Sequence, residues 1–94
     1  MAKVVYAPSF FAGLKRIAHH LRENDADAPA VVETIIEALE ILARHPFVGR
    51  PVESGLHELV MGKRRRGYVA LYRVDPVRDM VIVLAIRAGR EAGY

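Results

Sequence analysis

The sequence has no cysteine, which excludes a disulfide framework and any thiolate zinc site and fits a reducing compartment. Long apolar runs are missing too. The longest strongly apolar one, residues 81–86, falls far short of the roughly 20 residues needed to cross a bilayer. Residues 1–14 contain no uninterrupted apolar stretch followed by a small-residue cleavage site, so no signal peptide is read there and a cytoplasmic protein is expected. Repeats, low-complexity segments and linkers are also absent, and 94 residues suit one domain spanning 1–94.

The usual catalytic motifs are equally scarce. There is no phosphate-binding Gly-Lys-Ser/Thr loop, no Gly-x-Gly-x-x-Gly and no His-Glu-x-x-His. Of the four histidines, His19, His20, His45 and His57, adjacent His19 and His20 point to different parts of a helix and make a poor metal pair. His57 and Glu58 alternate across a strand and face opposite ways. Ser9, Thr34 and Ser54 have no His/Asp arrangement beside them, and Ser9 reads better as a helix-start residue. No catalytic set, metal site or cofactor is expected.

What the chain does have is charge, unevenly placed. Its net charge is +3 and its pI about 9.6. Residues 1–47 hold five Lys/Arg against six Asp/Glu, whereas residues 48–94 hold nine against five. A positive field over the second half favours an acidic protein segment or a nucleic acid as partner. Membrane binding is not expected, because no helix there joins a basic face to an apolar one.

The hydrophobic content of 52% falls into readable periods. Lys3 to Tyr6 reads as a strand, and Pro8 opens a helix. Phe10, Leu14, Ile17 and Leu21 recur on one helical face, with Lys15, Arg16, His19, Arg22 and Glu23 opposite. Residues 24–27 break the helix, and Asp25 or Asp27 can cap a second one whose first turn accepts Pro29. Its apolar stripe is Val32, Ile35, Ile36, Leu39, Leu42 and Ala43, flanked by a Glu40–Arg44 pair one turn apart and ended by Pro46. Two amphipathic helices across a short break form an antiparallel hairpin.

Residues 46–55, dense in Pro and Gly, read as a loop in which Arg50 anchors the chain through carbonyl or carboxylate contacts. Strands at residues 56–61, 68–75 and 80–88, joined by residues 62–67 and 76–78, predict an antiparallel meander. The last strand is apolar on both faces through Ile86, which places it inside the sheet. The fold class is α+β: two layers, with an N-terminal strand, a helical hairpin and a three-stranded meander.

Basic residues concentrate in two places. Lys63, Arg64, Arg65 and Arg66 occupy a hairpin tip, where four like charges repel and an anionic ligand relieves them; the same run also reads as a solubilising tip. Arg87 and Arg90 follow the last strand, and Tyr94 can stack on a base, pack on a partner or fray. These seven residues are the candidate target or nucleic-acid contacts.

Taken in order, several short words form a larger pattern. They are Val4-Val5-Tyr6-Ala7-Pro8, Ala43-Arg44-His45-Pro46 with Gly49-Arg50-Pro51, and Gly55-Leu56-His57-Glu58-Leu59. Gly67-Tyr68-Val69-Ala70-Leu71-Tyr72-Arg73 and Ala85-Ile86-Arg87 with Arg90-Glu91 complete it. The whole chain resembles the RelE/ParE toxins of bacterial type II toxin–antitoxin systems.

That resemblance implies a growth-inhibiting, plasmid-stabilisation-like toxin neutralised by a cognate antitoxin. The antitoxin is expected to be an acidic segment that folds on binding. RelE-like members cut mRNA on the ribosome, and ParE-like members poison DNA gyrase. The nuclease branch carries an arginine in an Arg-Leu-Val-Tyr-like word; here the word is Val69-Ala70-Leu71-Tyr72. It also uses a Tyr or His soon after the last strand, where this chain has Ala88, Gly89 and Arg90, with Tyr94 as the only ring. Cleavage of RNA needs a base and an acid, and no such pair is legible. The gyrase-binding branch is therefore expected. The alternatives are a ribosome-dependent mRNA endonuclease using Arg64–Arg66, Arg87 and Tyr94, and a non-toxic binding module.

Overall fold

Strand β1, Lys3–Tyr6, gives way at Ala7, whose extended backbone precedes Pro8 at the start of helix α1, Pro8–Glu23. Proline loses nothing there, because first-turn amides have no intrahelical partner. The computed structural model describes residues 1–62, 67–91 and 93–94. Phe10 and Ile17 are buried along α1, with Leu14 and Leu21 packed beside them, as the periodicity predicts. Asn24 ends the helix: its amide reaches the Leu21 carbonyl at 3.1 Å and its side chain donates to the His20 carbonyl at 2.8 Å. Asp27 then caps helix α2, Ala28–Leu39, by accepting the Ala30 amide at 3.2 Å.

The end of α2 differs from the expectation. The α-helix stops at Leu39, and Glu40–Ala43 continues as a tighter 3₁₀ turn. At three residues per turn, positions four apart no longer stack. Among the described residues no ion pair joins Glu40 to Arg44. The tighter winding still carries Leu42 into the core, where it is fully buried.

The Pro/Gly-rich segment is also more ordered than a loop. Arg50–Pro51 forms a two-residue strand, β2, and Glu53–Gly55 a 3₁₀ turn. Strands β3 (His57–Met61), β4 (Tyr68–Asp75) and β5 (Met80–Ala88) follow, the first beginning one residue later than the composition suggests. The sheet therefore has five strands in the order β1-β5-β4-β3-β2. Strand β1 lies parallel to β5 at one edge, and all other pairings are antiparallel. β5 has a neighbour on each side, as its two apolar faces predict.

Both helices lie on one face of the sheet. Phe10, Leu39, Leu42, Tyr72, Val81, Val83 and Ile86 form the fully buried centre between the layers. α1 approaches β5 closely enough to need glycine, since a β-carbon on Gly13 would lie 2.6 Å from the Ile86 carbonyl oxygen. One irregularity governs what faces where. Tyr72 pairs with Val83 but Leu71 with Ala85, leaving Leu84 as an extra residue in β5. This β-bulge reverses the in–out alternation beyond it. Val81, Val83 and Ile86 all reach the core, and Arg87 goes to the opposite, open face. The Ser9 hydroxyl donates to the Leu84 carbonyl, so this helix-start residue satisfies a backbone group at the bulge. Among the described residues no helix is long and apolar enough to cross a membrane.

Candidate functional site on the open sheet face

The face away from the helices is built by β2 to β5. Register places Glu58 opposite Arg50 on one side and Leu71 on the other, while Val69 lies between Val60 and Arg87. Because side chains alternate along strands, Arg50, Glu58, Arg73 and Arg87 share this surface. Arg50 is held there by its neighbour. A β-carbon on Gly49 would sit 2.5 Å from the Glu58 carbonyl oxygen and 2.6 Å from the Tyr72 hydroxyl, so only glycine lets the chain pass. The Gly49 amide donates to that buried Tyr72 hydroxyl at 2.9 Å, pinning the approach to β2 against the core.

Glu58 is the centre of the cluster. It is the one buried charged residue among the described residues, 9% exposed. Arg50 donates to its Oε1 through Nε at 3.1 Å and through Nη2 at 2.7 Å, and the Tyr94 hydroxyl donates to Oε2 at 2.7 Å. Burial works to raise the Glu58 pKa. The hydrogen bonds from Tyr94 and Arg50 and the charges of Arg50 and Arg87 outweigh it and hold the carboxyl below its ordinary value. Tyr94 moves the other way: burial, the hydrogen bond to Glu58 and that residue's charge push its phenol well above the usual tyrosine value, against a smaller lowering by Arg87.

The C-terminal turn completes the surface. The Arg87 guanidinium donates to the carbonyls of Ala88, Gly89 and Glu91 at 3.3, 3.4 and 3.0 Å, and lies 5.4 Å from the centre of the Tyr94 ring. Glu91 accepts the Ala88 amide at 3.0 Å and the Arg16 guanidinium at 3.0 Å, which ties the turn to α1. Tyr94 thereby folds back over the sheet and does not fray.

The structure divides the residues expected from sequence. Arg87 and Tyr94 meet on the open face. Arg90 lies at the other side, its guanidinium against His20 of α1 beside a cleft that Arg16 also lines. Lys63, Arg64, Arg65 and Arg66 lie outside the described residues. Arg50 anchors its segment through a carboxylate, as expected, but it does so inside the site. Glu58 and Arg73 are the residues that sequence reasoning passed over. Arg73 had a usable signal, since Val69, Leu71 and Arg73 alternate along β4 away from the core. Glu58 was dismissed as a weak partner for His57, and the two do face opposite ways. His57 turns inward and stacks on Tyr72 with ring centres 5.4 Å apart. One partner of Glu58, Tyr94, comes from 36 residues further along the chain, a distance no local pattern reveals. Among the described residues no three metal-ligating side chains gather.

Chemically, this surface offers three guanidinium groups around one carboxylate and one phenol. It can hold anions, through Arg73 and the exposed rim of Arg50 most directly, because these groups are fixed on a rigid sheet. Acid–base work is poorly supplied in this state. The carboxylate has both oxygens engaged and a depressed pKa, and the phenol keeps its proton.

Comparison with known proteins bears on the family and the fold. The family described as "ParE toxin of type II toxin-antitoxin system, parDE" matches residues 4–93. Toxin RelE3 of Caulobacter vibrioides is 32% identical over 71 residues, covering 76% of this chain and 75% of that protein. A chain of the chromosomal ParDE toxin–antitoxin system of P. aeruginosa superposes with a TM-score of 0.73 at 23% identity, over 94% of this chain and 96% of that one. A chain of the RelBE2 toxin–antitoxin complex of Mycobacterium tuberculosis does so at 0.70 and 22% identity, over 93% and 96%. At such identities the two superpositions speak for the fold.

Proposed function

The chain belongs to the ParE toxin family of type II toxin–antitoxin systems, and from that premise we propose that it arrests growth by binding DNA gyrase through the open face of its sheet, without covalent chemistry of its own. One observation carries this reading. Glu58, the only buried carboxylate among the described residues, has both oxygens engaged, one by Arg50 and the other by Tyr94. A general base near neutral pH needs an oxygen open to its substrate and a pKa close to the working pH; Arg50 and Tyr94 cover the two oxygens of Glu58 and hold its pKa below the ordinary value. The arginines around it retain their capacity to bind anionic groups of a macromolecular target. A cognate antitoxin, acidic at least in part, neutralises the toxin by occupying such surfaces, in keeping with the toxin–antitoxin complexes of the structural relatives. Its bound state adds to the stability of this small domain.

A second reading has its own support. A carboxylate, a phenol and two guanidiniums within one hydrogen-bonded cluster are also the groups that cleavage of RNA through its 2′-hydroxyl requires, and the curated relative carries the name RelE3. In that case Tyr94 must swing away from Glu58 when RNA binds, freeing an acid and a base.

Two assays on one purified sample separate the readings. Inhibited supercoiling with trapped gyrase–DNA cleavage complexes, and intact mRNA in translating extract, is the expected result. Codon-phased cuts in mRNA with unaffected gyrase overturn it in favour of the nuclease. Neither effect, together with undisturbed growth on expression, leaves a non-toxic binding module.

A further inference from the structure

We propose that the side of the domain where α1 meets the C-terminal turn binds a single strand of nucleic acid. One base enters the cleft between these elements, and the adjoining phosphates lie on the cationic side chains around it. This goes beyond the function proposed above and holds whichever target that function has.

The first observation is a segregation of charge that the half-chain totals conceal. Residues 1–22 hold four Lys/Arg and no Asp/Glu, whereas residues 23–47 hold one against six. Lys15, Arg16 and Arg22 of the basic group stand on α1, and the acidic group starts at Glu23 and continues through the turn and α2. Lys15, His19 and Arg22 recur at spacings of four and three and form one exposed strip along α1. Arg16 and His20, one turn apart, form the strip beside it. The two helices thus carry opposite charge, and only α1 attracts a polyanion. A basic last turn also suits the dipole of a helix, but Lys15 and Arg16 stand two turns before the end of α1.

The second observation is where Arg90 goes. The C-terminal turn brings its guanidinium against a ring nitrogen of His20, so two basic side chains meet with no anion between them. Among the described residues Lys15, Arg22 and Arg90 have no carboxylate within ion-pair distance. Arg16 has Glu91, the one carboxylate that lines the cleft, and both oxygens of Glu91 are engaged inside the protein, by Arg16 and by the Ala88 amide. A phosphate offers the planar fork of Arg90 two acceptor oxygens where His20 offers one nitrogen.

The third observation selects a nucleic acid over an acidic peptide. The cleft holds about 570 Å³, the size of a small-ligand site. Ile17, Leu21 and Tyr68 line it together with Arg16, His20 and Arg90. A carboxylate side chain on the cations leaves those apolar groups bare. A tyrosine ring with cations around it is the arrangement on which a base stacks while charge holds the backbone. Bases inside a duplex are already stacked on both sides and do not enter, so the occupant is a single strand.

Fluorescence anisotropy of the full chain tests this with a labelled single strand of about 12 nucleotides, as DNA and as RNA, and with the matching DNA duplex. The single strand is expected to bind about tenfold more tightly than the duplex, the worth of one stacked base. Its log K should fall against log salt with a slope of about −2 to −3, for three or four phosphates. Arg90→Ala and Arg22→Ala, at exposed positions, should each reduce that slope by about 0.7. Tyr68→Leu should weaken binding about tenfold at unchanged slope, and Tyr68→Phe should restore it. A thermal melt establishes that Tyr68→Leu folds, and the arginine variants carry the test if it does not. Arg78→Ala, exposed before the other end of β5, should change nothing. A preference for RNA or for DNA names the strand, and either supports the site.

A duplex bound as tightly as the single strand, with no effect of Tyr68→Leu, overturns the inference, because charge alone then accounts for adsorption. So does an absence of binding at low salt, or an equal loss in Arg78→Ala and Arg90→Ala. The gyrase and mRNA assays are read without these probes, so the inference can fail while the proposed function stands, and the reverse.

Discussion

The two faces of the sheet share five strands and have opposite chemistry. On the helix-covered face Ala70, Tyr72, Val81, Val83 and Ile86 are at most 1% exposed, and the polar Tyr72 hydroxyl is satisfied by the Gly49 amide. On the open face Arg50 and Arg73 are exposed, and the buried carboxylate Glu58 is held by hydrogen bonds. The first face is stabilised by removing apolar area from water, a term that scales with size and tolerates no gaps. The second is organised by directional contacts, each of which contributes little net stability because water competes for the same groups. The domain can thus vary the proposed recognition surface at small cost to its fold. That separation suits a toxin that must bind a target and an antitoxin in turn.

The comparison is broken most forcefully from the core side. Phe10→Ala, at a fully buried position, is expected to cost about 3–5 kcal/mol. The melting temperature should drop accordingly, with growth inhibition lost because the domain no longer folds. A melt shifted by only a few degrees would show that the helices contribute less to the fold than the burial implies.

Glu58→Ala probes the open face at its most buried point. It strips Arg50 and Tyr94 of a shared acceptor and should cost about 1–3 kcal/mol, with the helical circular dichroism unchanged. If growth inhibition survives, Glu58 organises the surface and performs no chemistry. Its loss in a protein that still binds gyrase would favour the nuclease.

Acidification is the gentler version of that experiment. The folded Glu58 pKa is held below its ordinary value, so its contribution is complete at neutral pH. It is lost as pH falls from the carboxyl's ordinary value through the lower folded one. The ring resonances of Tyr94 should shift in that window while those of the buried Tyr72 stay fixed. Simultaneous shifts of both rings would mean that the two faces do not respond separately.

Arg73→Ala should have the smallest effect on stability, within about 0.5 kcal/mol at an exposed position. It should nevertheless weaken target binding measurably. An unaltered inhibition titration would remove Arg73 from the recognition surface and leave Arg50 and Arg87 to carry it.

Much of the fold was legible because it depends on local periods. The Lys3–Tyr6, Tyr68–Asp75 and Met80–Ala88 strands and the start of α1 at Pro8 fall where alternation, helical spacing and proline place them. The short β2 was hidden, because Arg50–Pro51 is too brief for any pattern and is a strand only by virtue of β3 beside it. The change to 3₁₀ winding at Glu40 was hidden for a similar reason. Its residues keep a helical apolar pattern, with Leu42 still buried in the tighter turn. Less of the candidate site could be read. Arg87 and Tyr94 were identified as charge and aromatic at the end of the chain, but the cluster in which Tyr94 lies over Arg87 and bonds to the Arg50-held Glu58 draws on separate segments.

By itself the sequence determined where the two α-helices and the four longer strands lie, which side chains can fill a core, and that the second half is basic. Those properties follow from neighbours within a few residues. Only the tertiary structure decided which face Arg87 serves. Counted by twos from Val81 and Val83, Arg87 belongs under the helices. The extra residue at Leu84 moves it to the other side, where Glu58 and Tyr94 wait. The bulge sits where α1 packs on β5 and the Ser9 hydroxyl donates to the Leu84 carbonyl, a contact between residues far apart in the chain that no local pattern shows.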